Sequence, residues 1–306
     1  MRFLLFLALA APVAAQSPYD VALDSAYALA RADDLEGAVA WYETAFRRAR
    51  PENPFTPFGA AQDAMRAGRH RHAVTFLHLA AKTGFSSIRY AYRVSELGPI
   101  RANADAWDRW LAAVHRAQAA IRPRYDAPLA RDLIALALEA ERISNDQHGL
   151  ETDATLSAAR AQRTTDLEAA KHALERRVVA LLEDRRWPRQ SRVGVEGAES
   201  ASYAASVLSP QVRERYAPAF RAAVLEGEAG ADDFARFADQ ARVDAGRPQL
   251  YGTAFWWDHD SQESVQYPVE DGADGRRAEI GMMTLEEWFS RMDNHEWPPR
   301  TGWPPE

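Results

Sequence analysis

Apolar and alanine positions recur three and four residues apart along this chain, and this spacing limits what it can fold into. Two segments of the first 118 residues look alike, DDLEGAVAWYETAFRRARP and GRHRHAVTFLHLAAKTG. Each places two alanines and a larger residue on one helical face: Ala38, Tyr42 and Ala45 in the first, Ala73, Leu77 and Ala80 in the second. The offset of 35 residues is close to the length of one helix-turn-helix repeat.

These segments resemble tetratricopeptide-type repeats, in which small residues let paired helices pack closely while a larger side chain fills the gap. Other residues stand where that family has tryptophan and glycine in the first helix of each unit: Ala22, Ala26, Pro57 and Ala61. Because about three repeats are needed to close a stack, two need a cap. We expect ANADAWDRWLAAVHRAQ to cap them with one helical face: Trp107, Trp110, Leu111 and Val114.

Helical spacing continues after the proline-containing connection IRPRYDAP. Further helices are predicted from Leu129 to about Asn145, from there to Arg186, after Ser209-Pro210, and from Asp232 or Asp233. Near the end, Thr284 and Glu287 form a capping box. Few runs alternate with a period of two. The sequence therefore predicts an all-α protein, with tetratricopeptide-like helical hairpins followed by a helical domain and an irregular C-terminal strap.

We divide the chain into four parts by composition and spacing. They are a signal peptide (1–15), tetratricopeptide-like helical repeats (16–122), a helical domain of unknown function (123–255) and an acidic, tryptophan-rich extension with one short helix (256–306). The extension has 12 acidic and 4 basic residues, a net charge of −8, whereas the whole chain has −7. Since the rest is nearly neutral, no basic surface is available for a phosphate backbone, and we expect no nucleic-acid partner.

The extension holds five of the nine tryptophans, at 256, 257, 288, 297 and 303. Interleaved aromatic and acidic residues would suit a carbohydrate or partner surface. We prefer a peripheral strap whose tryptophans pack on the helical domain.

The first residues, MRFLLFLALAAPVAAQ, have the pattern of a cleavable export signal. One positive charge at Arg2 precedes an apolar run, and small residues stand at Val13 and Ala15. We expect cleavage after Ala15 and a periplasmic or secreted protein without a stable membrane span. The alternative, a short membrane anchor, has an apolar run well below the roughly 20 residues that span a bilayer. The chain has no cysteine, so disulfides, thiolate catalysis and sulfur-ligated zinc are excluded.

The stretch GRPQLYGTAFWWDHD raises the question of a functional loop. Gly246 and Pro248 are the usual residues that stop a helix. Three polar residues of the stretch are not explained by capping: Gln249, Tyr251 and Thr253. We treat them as candidate binding residues.

Several segments of the second half resemble the bacterial family catalogued as domain of unknown function 6624. They are RWPRQSRVGVEGAESA, GRPQLYGT and PVEDGADGRRAEIGMMTLEEWF, preceded by NDQ, which adds Asp146 and Gln147 to the candidates. The hallmark of the family is the Pro-Gln-x-Tyr-Gly-Thr run, and the resemblance implies no activity. At several positions this chain has a different residue from the family. Leu150 stands in place of an arginine, and Ser206 and Val207 stand in place of a Gln-His pair. Ala254 stands in place of a glutamine, and Arg186 in place of a glycine. If the family is catalytic, this member lacks its histidine.

The remaining chemical motifs are weak. GVEG lacks the lysine and hydroxyl residue of a phosphate loop, which favours a turn. His259 between two aspartates offers metal ligands without a third group placed by the fold, so we predict no metal site and no cofactor. Asp146 and Gln147 could orient a substrate or act as a base, but a buried hydrogen-bonding pair is the preferred interpretation.

Three functions follow from these observations. The leading hypothesis is an exported, non-catalytic binding protein that presents a groove to a protein or peptide. The alternative is an enzyme of unknown reaction with one pocket around Asp146, Gln147, Gln249 and Tyr251. The third is a structural envelope protein. The oligomeric state, the ligand and the catalytic residues are not fixed by the sequence.

Overall fold

The computed structural model describes residues 16–152, 160–183, 186–258 and 263–293. The helices are α1 (Pro18–Arg31), α2 (Leu35–Arg48), α3 (Phe55–Arg66), α4 (His70–Thr83), α5 (Ile88–Arg93), α6 (Gly98–Ala102), α7 (Ala104–Ile121), α8 (Ala127–Thr152), α9 (Arg160–Glu183), α10 (Gln190–Ser206), α11 (Pro210–Leu225), α12 (Ala231–Asp244), α13 (Ala273–Glu279) and α14 (Leu285–Asp293). A 3-10 helix (Ser95–Leu97) and two short strands, β1 (Phe255–Asp258) and β2 (Glu263–Gln266), complete the described elements. The predicted all-α class is confirmed.

The predicted signal peptide lies outside the described residues. Among the helices of the described ranges, none has the length and apolar character needed to cross a bilayer.

The chain separates into two compact units. The first includes the chain up to Phe85 and the segment Val94–Val114. The second includes Ser86–Arg93 and the chain from His115 onward. The limits of the predicted domains, at residues 122 and 255, stay a prediction.

In the first unit, the hairpins α1–α2 and α3–α4 pack through the small residues that the sequence repeats. Both sets of predicted inward residues are buried: Ala38, Tyr42, Ala45, Ala73, Leu77 and Ala80. The ring of Tyr42 makes an edge contact with Phe76, and its hydroxyl donates a hydrogen bond to Asp63 Oδ2 at 3.0 Å. The helical hairpins are thus confirmed, whereas their assignment to tetratricopeptide repeats stays an interpretation.

The first part of α7 covers the end of the second hairpin. Trp110 is buried, and its indole Nε1 donates a hydrogen bond to the carbonyl oxygen of Leu77 in α4 at 3.0 Å. Trp107 packs on Trp110 with ring centroids 4.6 Å apart. Because a buried indole N–H needs an acceptor, the bond to the carbonyl of Leu77 limits where Trp110 can pack.

The second unit has an aromatic core between α10, α11 and α12. Trp187 stacks on Phe220 at 3.9 Å, and Phe234 and Phe237 contact the ring of Phe220. Helix α8 packs along α10, where a Cβ atom at Gly197 would come within 2.8 Å of Val193 Cβ and 3.6 Å of Ala130 Cβ. Apolar burial from α8 to α12 therefore holds this unit together.

The GVEG segment lies in α10 and contains a break in the helix. Gly194 has a φ of 74°, a left-handed conformation that favours glycine, while Gly197 is helical. The turn predicted for GVEG is therefore limited to the kink at Gly194, and residues 195–197 are helical.

Helix α12 ends as the sequence predicts. Gly246 has a φ of 70°, its amide donates a hydrogen bond to the carbonyl of Val243, and the amide of Arg247 donates to the carbonyl of Arg242. These two bonds define a Schellman motif, which uses glycine because of its left-handed backbone. At the start of the same helix the N-cap is Gly230, and the predicted caps Asp232 and Asp233 lie in the first turn.

The region after α12 contains a β-hairpin that the sequence does not predict. Strands β1 and β2 pair antiparallel, with Phe255 opposite Gln266. Strands of four residues are too short for a period of two to stand out from helical spacing. At the start of α14, Thr284 and Glu287 form the predicted capping box, with hydrogen bonds of 2.9 Å and 3.2 Å between backbone and side chain.

Substitution of two exposed glycines can test whether the positive φ at position 246 requires glycine. Neither Gly246 nor Gly275 has an atom near the position of an added Cβ, and only Gly246 has a positive φ. We expect Gly246→Ala to lower the free energy of unfolding by about 1 kcal/mol, and Gly275→Ala in α13 to raise it by about 0.5 kcal/mol. Urea unfolding of both variants checks this. A change of the same sign in both would contradict it.

Candidate functional site

A single buried carboxylate, Asp239 of α12, organises the candidate loop. Its side chain is fully buried. Oδ1 accepts hydrogen bonds from the amides of Leu250 at 2.7 Å and Tyr251 at 2.9 Å. Oδ2 accepts from the amide of Thr253 at 2.9 Å and from its hydroxyl at 2.7 Å. Four donors replace the water that the carboxylate loses, so Asp239 fixes the backbone of residues 250–253.

Gln249 connects the loop to the segment that follows the hairpin. It is fully buried, its Oε1 accepts from the amide of Ala254 at 2.7 Å, and its Nε2 donates to the carbonyl of Tyr267 at 2.7 Å. Its backbone forms an isolated parallel bridge with Val269. The side-chain amide is thus used in holding two chain segments together.

Tyr251 has a buried ring and a hydroxyl near a cation. The ring makes an edge contact with Phe234 at 5.6 Å. Burial raises the pKa of Tyr251, while a hydrogen bond with Arg221 and the charge of that residue lower it. Arg221 also pairs with Glu279 at 2.7 Å. The aromatic ring stabilises the loop by packing, and the hydroxyl is held by Arg221.

A buried arginine, Arg277 of α13, holds the other side of the loop. Its Nη1 donates to the carbonyl of Tyr251 at 2.7 Å and its Nε to the carbonyl of Met283. Within the described ranges, its Nη2 has no hydrogen-bond partner. Burial lowers the pKa of Arg277, and nearby carboxylates, Asp232 first, oppose that effect.

The other two candidates, Asp146 and Gln147, lie in a different environment. Both side chains are exposed on α8, and Asp146 pairs with Arg142 one turn earlier at 3.2 Å. Our preferred interpretation of a buried hydrogen-bonding pair is wrong, because these positions fall on the solvent side of α8. Gln249 and Tyr251, by contrast, are buried beside Asp239. The ion pair of Asp146 is with a residue of its own helix and does not involve the loop.

The matching family model is described as a family of unknown function (DUF6624), and it covers residues 128–296, more than half of the chain. The chain belongs to the DUF6624 family. The match begins in α8 and includes the 249–254 loop, whereas α1 to α7 lie before it. No curated protein and no solved structure matches the chain.

The Pro-Gln-x-Tyr-Gly-Thr run, which lies within the matched region, is a structural element in this chain. Gln249 bridges two segments, Tyr251 packs on Phe234, and the hydroxyl of Thr253 binds Asp239. Gly252 has a φ of 75°, and an added Cβ would lie 2.5 Å from Leu285 Cδ2. Four residues of the run, Gln249, Tyr251, Gly252 and Thr253, therefore have a folding role here.

Four of the five positions at which we expect a departure from the family have apolar or local roles. Leu150 packs against the core of the second unit, and the amide of Ala254 donates to Gln249. The Ser206 hydroxyl donates to the carbonyl of Tyr203 at 2.7 Å, and Val207 ends α10.

Two residues of this unit were missed by sequence reasoning. Asp239 is an acid on the buried face of α12 that includes Ala235 and Ala238, and a charge on such a stripe was an available signal. His115 is the second: its Nδ1 lies 2.7 Å from the hydroxyl of Tyr125, and its Nε2 has no hydrogen-bond partner in the described ranges.

Metal ligation has no candidate among the described side chains. No group of three or more histidine, aspartate or glutamate residues there could hold an ion. His259 and Asp260, which offered ligands in the sequence, lie outside the described residues, as do Trp297 and Trp303.

Removing the charge of Asp239 should release the loop. In Asp239→Asn, the amide nitrogen would face amide donors, so we expect the free energy of unfolding to fall by about 3 kcal/mol. Asp233→Asn is the control on the same helix; its exposed ion pair with Arg236 should contribute less than about 0.5 kcal/mol. Denaturant unfolding at neutral pH compares them. Equal losses would show that Asp239 does not hold the loop.

His115 should make stability depend on pH. Burial, and then the charge of Arg131, lower the pKa of His115 from 6.5 to about 4. The unfolded chain therefore binds this proton first, and stability is lost as the pH falls from about 6.5 towards 4. Between pH 7.5 and 4.5, the free energy of unfolding of wild type should fall by about 2.5 kcal/mol more than that of His115→Asn. This figure uses the conversion of about 1.36 kcal/mol for each unit of pKa difference.

Exposed His172 of α9 provides the control for this effect. Urea unfolding at both pH values should give His172→Asn the same loss as wild type. If His115→Asn also loses as much as wild type, the low pKa of His115 is contradicted.

Proposed function

We propose that this protein is an exported, non-catalytic binding protein whose helical hairpins bind another protein or a peptide. The observation that carries the proposal is the internal use of the loop's polar groups. Asp239 accepts four hydrogen bonds, and the Oε1 and Nε2 atoms of Gln249 both bond to the backbone. Side chains committed in this way hold a fold and are poorly placed to move a proton on a substrate.

A binding role for the first unit is supported by large apolar side chains on the outside of its first hairpin. Trp41 of α2 and Val21 of α1 remain 37% and 44% exposed, whereas the opposite faces of the same helices are buried. Tryptophan is enriched among the residues that carry most of the affinity of protein interfaces. We therefore place the contact with a partner at the surface that includes Trp41.

The test is affinity capture with the mature chain as bait on an extract of the native envelope, read by quantitative mass spectrometry. Trp41→Ala should recover about tenfold less of any specific partner, as expected for loss of an interface anchor. Leu225→Ala is the control, because Leu225 is also exposed but lies on α11 of the second unit. A partner captured equally by all three baits would place binding elsewhere.

The enzyme alternative, with Asp146, Gln147, Gln249 and Tyr251 around one pocket, predicts a different result. Tyr251→Phe would then abolish a measurable activity and leave stability unchanged. Under the binding proposal, Tyr251→Phe costs about 1 kcal/mol of stability through the lost hydroxyl contact and leaves capture intact.

Export is part of the proposal and rests on the pattern of residues 1–15. N-terminal sequencing of the protein from its native source should begin at Gln16. Retention of Met1 would contradict export.

A further inference from the structure

Helix α5 lies outside the matched family region, yet it is held by residues inside that region. Its residues, Ile88–Arg93, precede the match at residues 128–296 and belong to the second unit. Ile88 and Ala91 are buried, whereas Tyr90 and Tyr92 are exposed. The helix thus has one buried face and one exposed face, and it contacts α8 of the family region.

Arg93 makes the first polar contact of α5. Its Nε and Nη2 donate to the two carboxylate oxygens of Glu141 in α8, at 2.6 Å and 2.8 Å. This two-bond geometry is specific to a guanidinium group, because the ammonium group of lysine has no planar fork.

Arg89 makes the second contact, one helical turn earlier. Its guanidinium lies 4.5 Å from the centre of the Tyr203 ring, a cation–π distance. Its backbone amide donates to Glu196 Oε1 at 2.9 Å. Amides in the first turn of a helix have no acceptor within the helix, so Glu196 of α10 supplies one from another element.

The site gains from a basic occupant. Burial raises the pKa of Glu196, while the Arg89 amide and the charges of Arg89 and Arg93 lower it. Without these groups, the partly buried carboxylate of Glu196 would lose the positive charges and the hydrogen-bond donor that offset its loss of water. The two carboxylates, Glu141 and Glu196, and the ring of Tyr203 together suit one kind of ligand, a helix with two arginines one turn apart.

We propose that Glu141, Glu196 and Tyr203 form a recognition site for a helical segment with two arginines four residues apart, which α5 occupies within the chain. The occupant also needs an aliphatic residue just before the first arginine and a small one two residues after it, as Ile88 and Ala91 are here. A partner segment of this pattern would compete with α5. The inference does not rest on the binding surface at Trp41.

The test uses a fluorescent peptide with the sequence of residues 86–94, SSIRYAYRV, and the full chain with the variant pair Arg89→Ala and Arg93→Ala. The substitutions keep the Arg89 amide and remove both guanidinium groups, so the chain's own α5 competes less. Fluorescence anisotropy should show at least tenfold tighter binding of the peptide to this variant than to wild type. A peptide with both arginines replaced by alanine should not bind.

Adding Glu141→Gln and Glu196→Gln to the same variant should abolish peptide binding. Failure of the arginine peptide to bind the double-alanine variant overturns the proposal, as does equal binding of the alanine peptide. If that variant does not fold, Glu141→Gln alone serves in the wild-type background. Hydrogen exchange of residues 88–93 should then rise about tenfold, with α11 and α12 unchanged, and unchanged exchange of α5 overturns the proposal.

Discussion

The carboxylate of Asp239 fixes a segment that has no regular structure of its own. The amides of Leu250, Tyr251 and Thr253 donate to this one group, and the loop keeps its path because a buried charge needs every one of those donors. Other elements then attach to the loop: Arg277 of α13 through the carbonyl of Tyr251, and Gln266 of β2 through the carbonyl of Gly252. The arrangement after α12 thus depends on one side chain of that helix.

This dependence gives a physical reason for the Pro-Gln-x-Tyr-Gly-Thr run. Gln249 forms hydrogen bonds with backbone groups on two segments. Position 252 needs glycine because a Cβ atom there would collide with the side chain of Leu285. A motif of this kind resembles a catalytic loop in sequence, because both contain polar and glycine residues. What separates them is whether the polar atoms are already bonded within the protein.

Much of the helical architecture was predictable, since spacing and capping are local properties. The Ala38–Tyr42–Ala45 face and the stop at Gly246 need only neighbouring residues to be recognised. Asp239 was missed because an acid within a helix is usually solvated, and its donors are 11 to 14 positions away in the chain. The exposure of Asp146 and the contacts of α5 were also beyond local reasoning, since both depend on which helix faces pack together.

The place of α5 bears on where a family domain begins and ends. Sequence similarity places the start of the family domain at residue 128. The positive charges that act on the carboxylates of Glu141 and Glu196, however, belong to Arg89 and Arg93. A fragment cut at the similarity boundary would keep the acids and discard their counterions. The domain that these contacts hold together therefore includes a short helix, Ile88–Arg93, that ends 35 residues before the border defined by similarity (128 − 93 = 35), and grafting this domain onto another protein would require that helix to travel with it.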